Sequence, residues 1–182
     1  KGFDPNHIDI DNFSLQANGI RLSPETYSVQ LQQLAFREQS GFALQEMKAE
    51  LRYTDTGAVI KGLRIKSNQS TITTEATAKW ASADMAMKAP GNIFIDAVMD
   101  TCRIAMKEVK LFMTLPYAGL NRYANSVIDF RGQAKGYLKD LTISTAKLSG
   151  IGNSRLQLSG RIKGLPDVSK ARYDIRFNSF QT

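Results

Sequence analysis

Polar and apolar residues alternate along most of this chain, and in several places the alternation slips by one residue and then resumes in phase. In IDIDNFSL, Ile8 and Ile10 are followed by Asp11-Asn12 and then by Phe13 and Leu15. VQLQQLAF repeats the form with Val29 and Leu31, Gln32-Gln33, then Leu34 and Phe36. FALQEMKAELRY does so with Phe42 and Leu44, Gln45-Glu46, then Met47, Ala49, Leu51 and Tyr53; AVIKGLRI with Ala58 and Ile60, Lys61-Gly62, then Leu63 and Ile65. GYLKDLTI, residues 136–143, is a weaker copy. Period-two alternation marks a β-strand with one apolar face. Two polar residues in succession would send every later side chain to the other face of a regular strand. A β-bulge absorbs the extra residue and keeps one face apolar on both sides of the slip; a chain turn at the same point is the alternative.

Asn18-Gly19, Ser23-Pro24, Ser40-Gly41, Asp55-Thr56-Gly57 and Asn68-Gln69-Ser70 read as turns between these segments. TITTEATAKW, residues 71–80, alternates without a slip and places Ile72, Thr74, Ala76, Ala78 and Trp80 on one side. NSVIDFRGQAKG, YLKDLTISTAKL, RLQLSGRIKGL and ARYDIRFNSF read as further antiparallel strands, with SGIGNS (149–154) as a hairpin turn. Residues 84–125 differ. A strand is expected after Pro90-Gly91, then one short helix or helical turn around 107–123, stopped or kinked at Pro116. A sub-boundary near 82–92 divides a β-repeat half, 1–81, from a second β half with a short helical insertion, 93–182. Starts at 8, 29, 42 and 58 are spaced too irregularly for a strict solenoid and suit a loose β-repeat.

The expected architecture is all-β: antiparallel strands with one apolar face and one or two short helices, and repeated bulges, which bend and twist a sheet, would make it a curled antiparallel sheet with that apolar face concave. The apolar face comprises Ile8, Ile10, Phe13, Leu15, Val29, Leu31, Leu34, Phe36, Phe42, Leu44, Met47, Leu51, Ile60, Leu63, Ile65 and Ile72. Such a face must be buried. It closes on itself or on a second sheet as a sandwich core, or it stays open as a trough for a ligand. Alternation alone points first to the closed core; the scarcity of segments that read as a covering helix is the one feature that speaks for the trough.

Composition narrows the chemistry. The 182 residues suffice for one good core, and 42% apolar with 23% charged is ordinary for a folded domain. No apolar run exceeds three residues, so no segment reads as a membrane span. The first residue is Lys1, and the chain reads as a piece of something larger. A net charge of +7 permits anionic neighbours, but groups such as Lys61, Arg64 and Lys66 fall on the polar side of strands as a solvated face. No aromatic or basic-helix signature points to nucleic acid.

Catalytic candidates are few. His7 is the only histidine and precedes the first strand; Asp4, Asp9 and Asp11 lie near it, but alternation sends Asp9 and Asp11 to solvent, so no metal site is expected. Cys102 is the only cysteine and reads as a buried free thiol. The glycosylation sequons at Asn12 and Asn68 matter only in a eukaryotic secretory setting. SGIGNS lacks the third glycine and the Lys-Ser pair of a phosphate loop. No enzyme, metal or cofactor is expected.

FDPNHIDI (3–10), REQSGFAL (37–44) and LRIKSNQSTI (63–72) together resemble phrases of the TamB and AsmA-like proteins of the Bacteroidota cell envelope, relatives of the bridge-like lipid-transfer proteins. DFRGQAKGYLKDLTIST and NSRLQLSGRIKGLPD resemble the domain that follows in that family, and KEVKLFMTLPYAGL stands where it has a short helical insertion. The resemblance covers most of the chain and is weakest at 84–106. It implies a β-taco or half-pipe segment of a periplasmic rod, anchored in the inner membrane by a segment absent from this chain. It implies phospholipid acyl chains in the trough and transport between inner and outer membranes, or outer-membrane protein assembly with an Omp85-type barrel as partner. A closed β-sandwich adhesion or ligand-binding module is the alternative that the residues alone leave open.

Overall fold

The computed structural model describes residues 9–112, 123–151 and 154–181. Ten strands form a single antiparallel sheet in chain order: β1 (Ile10–Leu22), β2 (Thr26–Glu38), β3 (Ala43–Thr54), β4 (Gly57–Ser67), β5 (Thr71–Lys79), β6 (Phe94–Ala105), β7 (Val127–Tyr137), β8 (Asp140–Ile151), β9 (Ser154–Lys163) and β10 (Arg172–Gln181). Each strand pairs with the next in sequence, and β1 and β10 are the two edges, so the curled sheet is not closed. Helix α1 (Ala83–Lys88) and a 3-10 turn at Pro90–Asn92 connect β5 to β6, which are themselves paired from Thr71–Arg103 to Lys79–Phe94. Helix α2 (Met106–Phe112) follows β6. It coincides with the start of the helical segment expected around 107–123, of which 113–122 lie outside the described residues.

The slips are bulges. Register shifts fall between Asp11 and Ser14, Leu31 and Leu34, Leu44 and Glu46, and Ile60 and Leu63, the four places where the pattern stumbles. Leu31 and Leu34 oppose Ala49 and Met47, two residues apart on β3, so both stay on one face. Asn12 (φ 54°) and Gly62 (φ 56°) take the left-handed conformation inside two of these bulges.

Two expectations need correction. Asn18-Gly19 is not a turn: β1 runs through it to Leu22, and a further bulge there, with Gly19 at φ 60°, takes up the extra residue. The slip in GYLKDLTI is a hairpin and not a bulge, because Tyr137 pairs with Asp140 across Leu138-Lys139.

Three further bulges carry the same sequence form. AVMDTCRI (97–104) slips at Asp100-Thr101 in β6, LTISTAKL (141–148) at Ser144-Thr145 in β8, and IRFNSF (175–180) at Asn178-Ser179 in β10. Every even-numbered strand thus carries a bulge near its middle, while β5, β7 and β9 keep an unbroken alternation. Bulges bend a strand and increase its twist. Their recurrence on alternate strands is a physical cause for curling along the whole sheet.

Little of this molecule is core. Among the described residues the buried apolar side chains are Leu44, Ala49, Cys102, Ala105, Met106 and Ala146, and no large side chain is fully buried. The accessible surface is 12145 Å², whereas a compact monomer of 20.2 kDa has about 8,800 Å². The closed sandwich left open by the sequence is therefore not the fold. Among the described residues nothing covers one face of the sheet.

What buried structure there is gathers around α2, at the sheet end where β2 finishes and β3 starts. Glu108 is buried and accepts hydrogen bonds from the Ser67 hydroxyl (2.7 Å), the Gln69 amide (2.9 Å) and the Ser70 hydroxyl. Ser70 Oγ also accepts from the Ala105 amide at 3.0 Å, which fixes where β6 passes into the helix. The Phe112 ring meets Phe42 edge-on at 4.8 Å, and Phe42 lies 6.1 Å from Phe36. α2 therefore turns back across the end of the sheet, from β6 past the β4–β5 turn to the β2–β3 turn.

Candidate functional site

The uncovered face is the candidate site, and the strand register assembles it directly. Directly opposed residues on adjacent strands share a face. Following the partners from edge to edge gives Leu15–Leu34–Met47–Ile65–Ile72–Cys102–Phe130–Leu148–Leu156–Phe180, a row of ten apolar side chains crossing all ten strands. A second row runs Leu22–Tyr27–Tyr53–Ala58–Ala78–Ile95–Gly136–Leu141–Ile162–Tyr173. Between them lies Val29–Leu51–Ile60–Ala76–Ala97–Ala134–Ile143–Gly160–Ile175. Thr74, opposite Leu63 and Met99, is the polar side chain nearest the middle of this face.

Of the sixteen residues expected there, the strand pairing places Ile10, Leu15, Val29, Leu31, Leu34, Phe36, Leu44, Met47, Leu51, Ile60, Leu63, Ile65 and Ile72 on this face. Phe13 joins them by alternation with Leu15. Phe42 sits just before β3 with its ring against Phe36 and Phe112. Ile8, like Asp4 and His7, lies outside the described residues. Leu44 is 7% exposed and belongs to the buried end, not to the open part.

Sequence reasoning stopped at Ile72 and missed the second half of the face, from Ile95 to Phe180. The missing signal was the same one: AVMDTCRI, LTISTAKL and IRFNSF carry the apolar-x-x-apolar slip unchanged. It also missed the aromatic rim at the sheet end opposite α2. There Tyr27, Tyr53 and Trp80 follow one another at ring separations of 6.2 and 5.7 Å, and the Trp80 indole N–H donates to the Asp55 carbonyl at 2.7 Å.

Side-chain size is graded across the face. Thr74, Ala76 and Ala78 on β5, Ala97 on β6, and Gly132, Ala134 and Gly136 on β7 leave the middle shallow, while Leu, Ile, Phe and Tyr stand on the outer strands. At Gly132 a Cβ would come within 2.9 Å of the Phe130 ring, so that ring leans over the glycine and covers it. Over β1–β4 the face forms a cavity of about 400 Å³ lined by Ile20, Leu22, Tyr27, Val29, Leu51, Tyr53, Ala58 and Ile60. The apolar surface reaches both edges, with Leu22 at 75% and Phe177 at 70% exposure.

The opposite face is polar and cross-linked by ion pairs: Glu46 with Lys48 (3.0 Å) and Arg64 (3.6 Å), Asp96 with Lys135 (2.7 Å), and Asp140 with Arg161 (2.5 Å). The hydrogen-bonded Lys135 ammonium holds the Asp96 carboxyl below the usual carboxylate range, and Lys48 does the same to Glu46. Lys61, Arg64 and Lys66 are exposed here, as the alternation requires.

Among the described residues neither face brings together a group of metal-ligating side chains. Cys102 is free and buried, its thiol donates to the Thr73 carbonyl at 3.8 Å, and burial raises its pKa, which leaves it a poor nucleophile. Among the described residues no group of His, Cys, Asp and Glu could hold a metal ion, and no helix is long and apolar enough to cross a membrane. No family model, curated protein or solved structure matches this chain.

Proposed function

We propose that this chain is a non-catalytic periplasmic segment of an envelope-spanning bridge, in which the open apolar face shelters lipid acyl chains. The reading rests on one observation: an uninterrupted apolar row from Leu15 to Phe180 crosses ten strands, and among the described residues no second layer lies over it. Each methylene laid on such a surface gains up to about 0.8 kcal/mol. A face of Leu, Ile, Val, Phe and Ala with no deep polar trap can hold a chain anywhere along its length. Holding without a fixed site suits transit better than storage. The resemblance to TamB and AsmA-like proteins supplies the context: phospholipid moving between inner and outer membranes, or assembly of outer-membrane proteins with an Omp85-type barrel, by a full-length protein anchored in the inner membrane.

The test is direct binding of a fluorescent polyene fatty acid to the purified protein. We expect saturable binding displaced by unlabelled phospholipid. Ile65→Glu or Leu34→Glu, in the middle of the row, should weaken it at least about tenfold. Arg64→Glu, on the polar face, should leave it intact. Equal loss from Arg64→Glu and Ile65→Glu in folded proteins would contradict the reading.

A further inference from the structure

The polar face carries a concavity of its own. A cleft of about 670 Å³ lies over β7, β8 and β9, flanked by β6 and β10. Its walls include Arg131, Lys147 and Arg155, one from each of the three central strands, which alternation sends to the polar face, and it is lined as well by Cys102, Phe130, Leu148 and Leu156, the apolar-row residues of the same strands and of β6. Thr101 and Ser179, which line its two sides, belong to the bulges of β6 and β10. The bulges that bend the sheet thus also bound this cleft.

Its charges are not balanced as they are at three other places on the polar face. Elsewhere Glu46, Asp96 and Asp140 are matched with lysine or arginine partners. In the cleft, Arg131 is directly opposite Lys147 in the β7–β8 register, and among the described residues neither these two nor Arg155 forms an ion pair. Like charges directly opposed across a sheet are destabilising. The one carboxylate lining the cleft, Asp129, stands opposite Arg103 on β6. Three cations against one carboxylate leave a positive concavity with hydroxyl donors at both sides.

We propose that this cleft binds a phosphoryl group, carried by a lipid headgroup or by a soluble phosphorylated molecule. Two guanidinium forks can each grip phosphate oxygens bidentately, and Lys147 supplies a point charge between them. A bound dianion removes the Arg131–Lys147 repulsion. By strand alternation its three cations lie on the face opposite the acyl trough, and Leu34→Glu or Ile65→Glu, on strands outside the cleft, tests the trough separately.

The experiment is an NMR titration of the isotope-labelled protein with inorganic pyrophosphate at fixed ionic strength, whose amide spectrum also reports folding. The expected result is saturable shifts confined to the cleft strands. Arg131→Gln and Arg155→Gln should each weaken binding about tenfold or more, the loss of one charge-assisted contact. Lys61→Gln, the same charge change on β4 of the same face, should alter it by less than about twofold. A parallel arm uses vesicles of phosphatidylcholine with and without phosphatidylglycerol. Vesicle binding that needs the anionic lipid and is lost with Arg131→Gln assigns the phosphoryl group to a headgroup; pyrophosphate binding alone assigns it to a soluble ligand. Shifts that spread over all basic residues without saturating, or a Lys61→Gln effect as large as that of Arg131→Gln, would overturn the proposal.

Discussion

At the scale of single residues, Glu108 is the side chain that joins the second helix to the sheet. Its carboxylate gathers the Ser67 and Ser70 hydroxyls and the Gln69 amide, tying α2 to the β4–β5 turn. Truncation removes the acceptor shared by one buried and two part-buried hydrogen bonds, at a cost of about 1–3 kcal/mol. Glu108→Ala is therefore expected to lower the melting temperature by several degrees and to speed hydrogen exchange at the Gln69 amide, whereas Glu108→Gln, which keeps one acceptor oxygen, should lose less. An unchanged exchange rate at Gln69 in Glu108→Ala would show that the carboxylate does not hold the turn. This cluster was invisible in the sequence. No local pattern marks Glu108, because its three partners arrive from about forty residues upstream through the sheet pairing.

At the scale of elements, the bulge organises both faces. Gly62 shows what it demands: a left-handed backbone with open space where a Cβ would point. A substitution there meets no clash, so its cost is backbone strain alone, about 1–2 kcal/mol for an ordinary L residue. Asn12 meets the same demand in β1 with an asparagine. Gly62→Ala should accordingly destabilise by about 1 kcal/mol and Gly62→Asn by clearly less, measured by denaturant midpoint. Equal costs would mean that the bulge does not depend on the left-handed residue. The elements were legible in the sequence because period and slip are local properties. What misled was turn chemistry inside a continuous strand: Asn18-Gly19 has a strong turn signature, yet the apolar residues Ile20 and Leu22 beyond it continue the face, and a bulge reconciles the two. The converse held at Leu138-Lys139, where a slip resembling the other four is a hairpin. A polar pair between apolar positions specifies only that the face is restored; whether the chain bulges or reverses depends on what pairs with the flanking residues.

At the scale of the whole molecule, ten strands in strict chain order make a sheet with two open edges and one open apolar face. The alternation indicated a curled sheet with one greasy side, and the first half of that side was readable residue by residue. Whether the side would be covered was not readable, since closure depends on where the edges end up and no local pattern encodes it. The register supplies what the pattern could not: the apolar positions of both halves line up into rows that run from β1 to β10 without a break. The bulges do double service, keeping those rows in phase on one face and framing the basic cleft on the other.

The central claim is that the open face meets acyl chains in its native setting, and photo-crosslinking in living cells tests it most directly. A photoreactive residue replaces Leu34 or Ile65 on the apolar row, or Lys48 or Arg64 on the polar face, in the full-length protein, with lipids labelled by radioactive phosphate. Labelled phospholipid captured from Leu34 and Ile65 but not from Lys48 or Arg64 is the result expected. Capture of labelled lipid from neither face, with the protein folded and present at normal levels, would contradict the account.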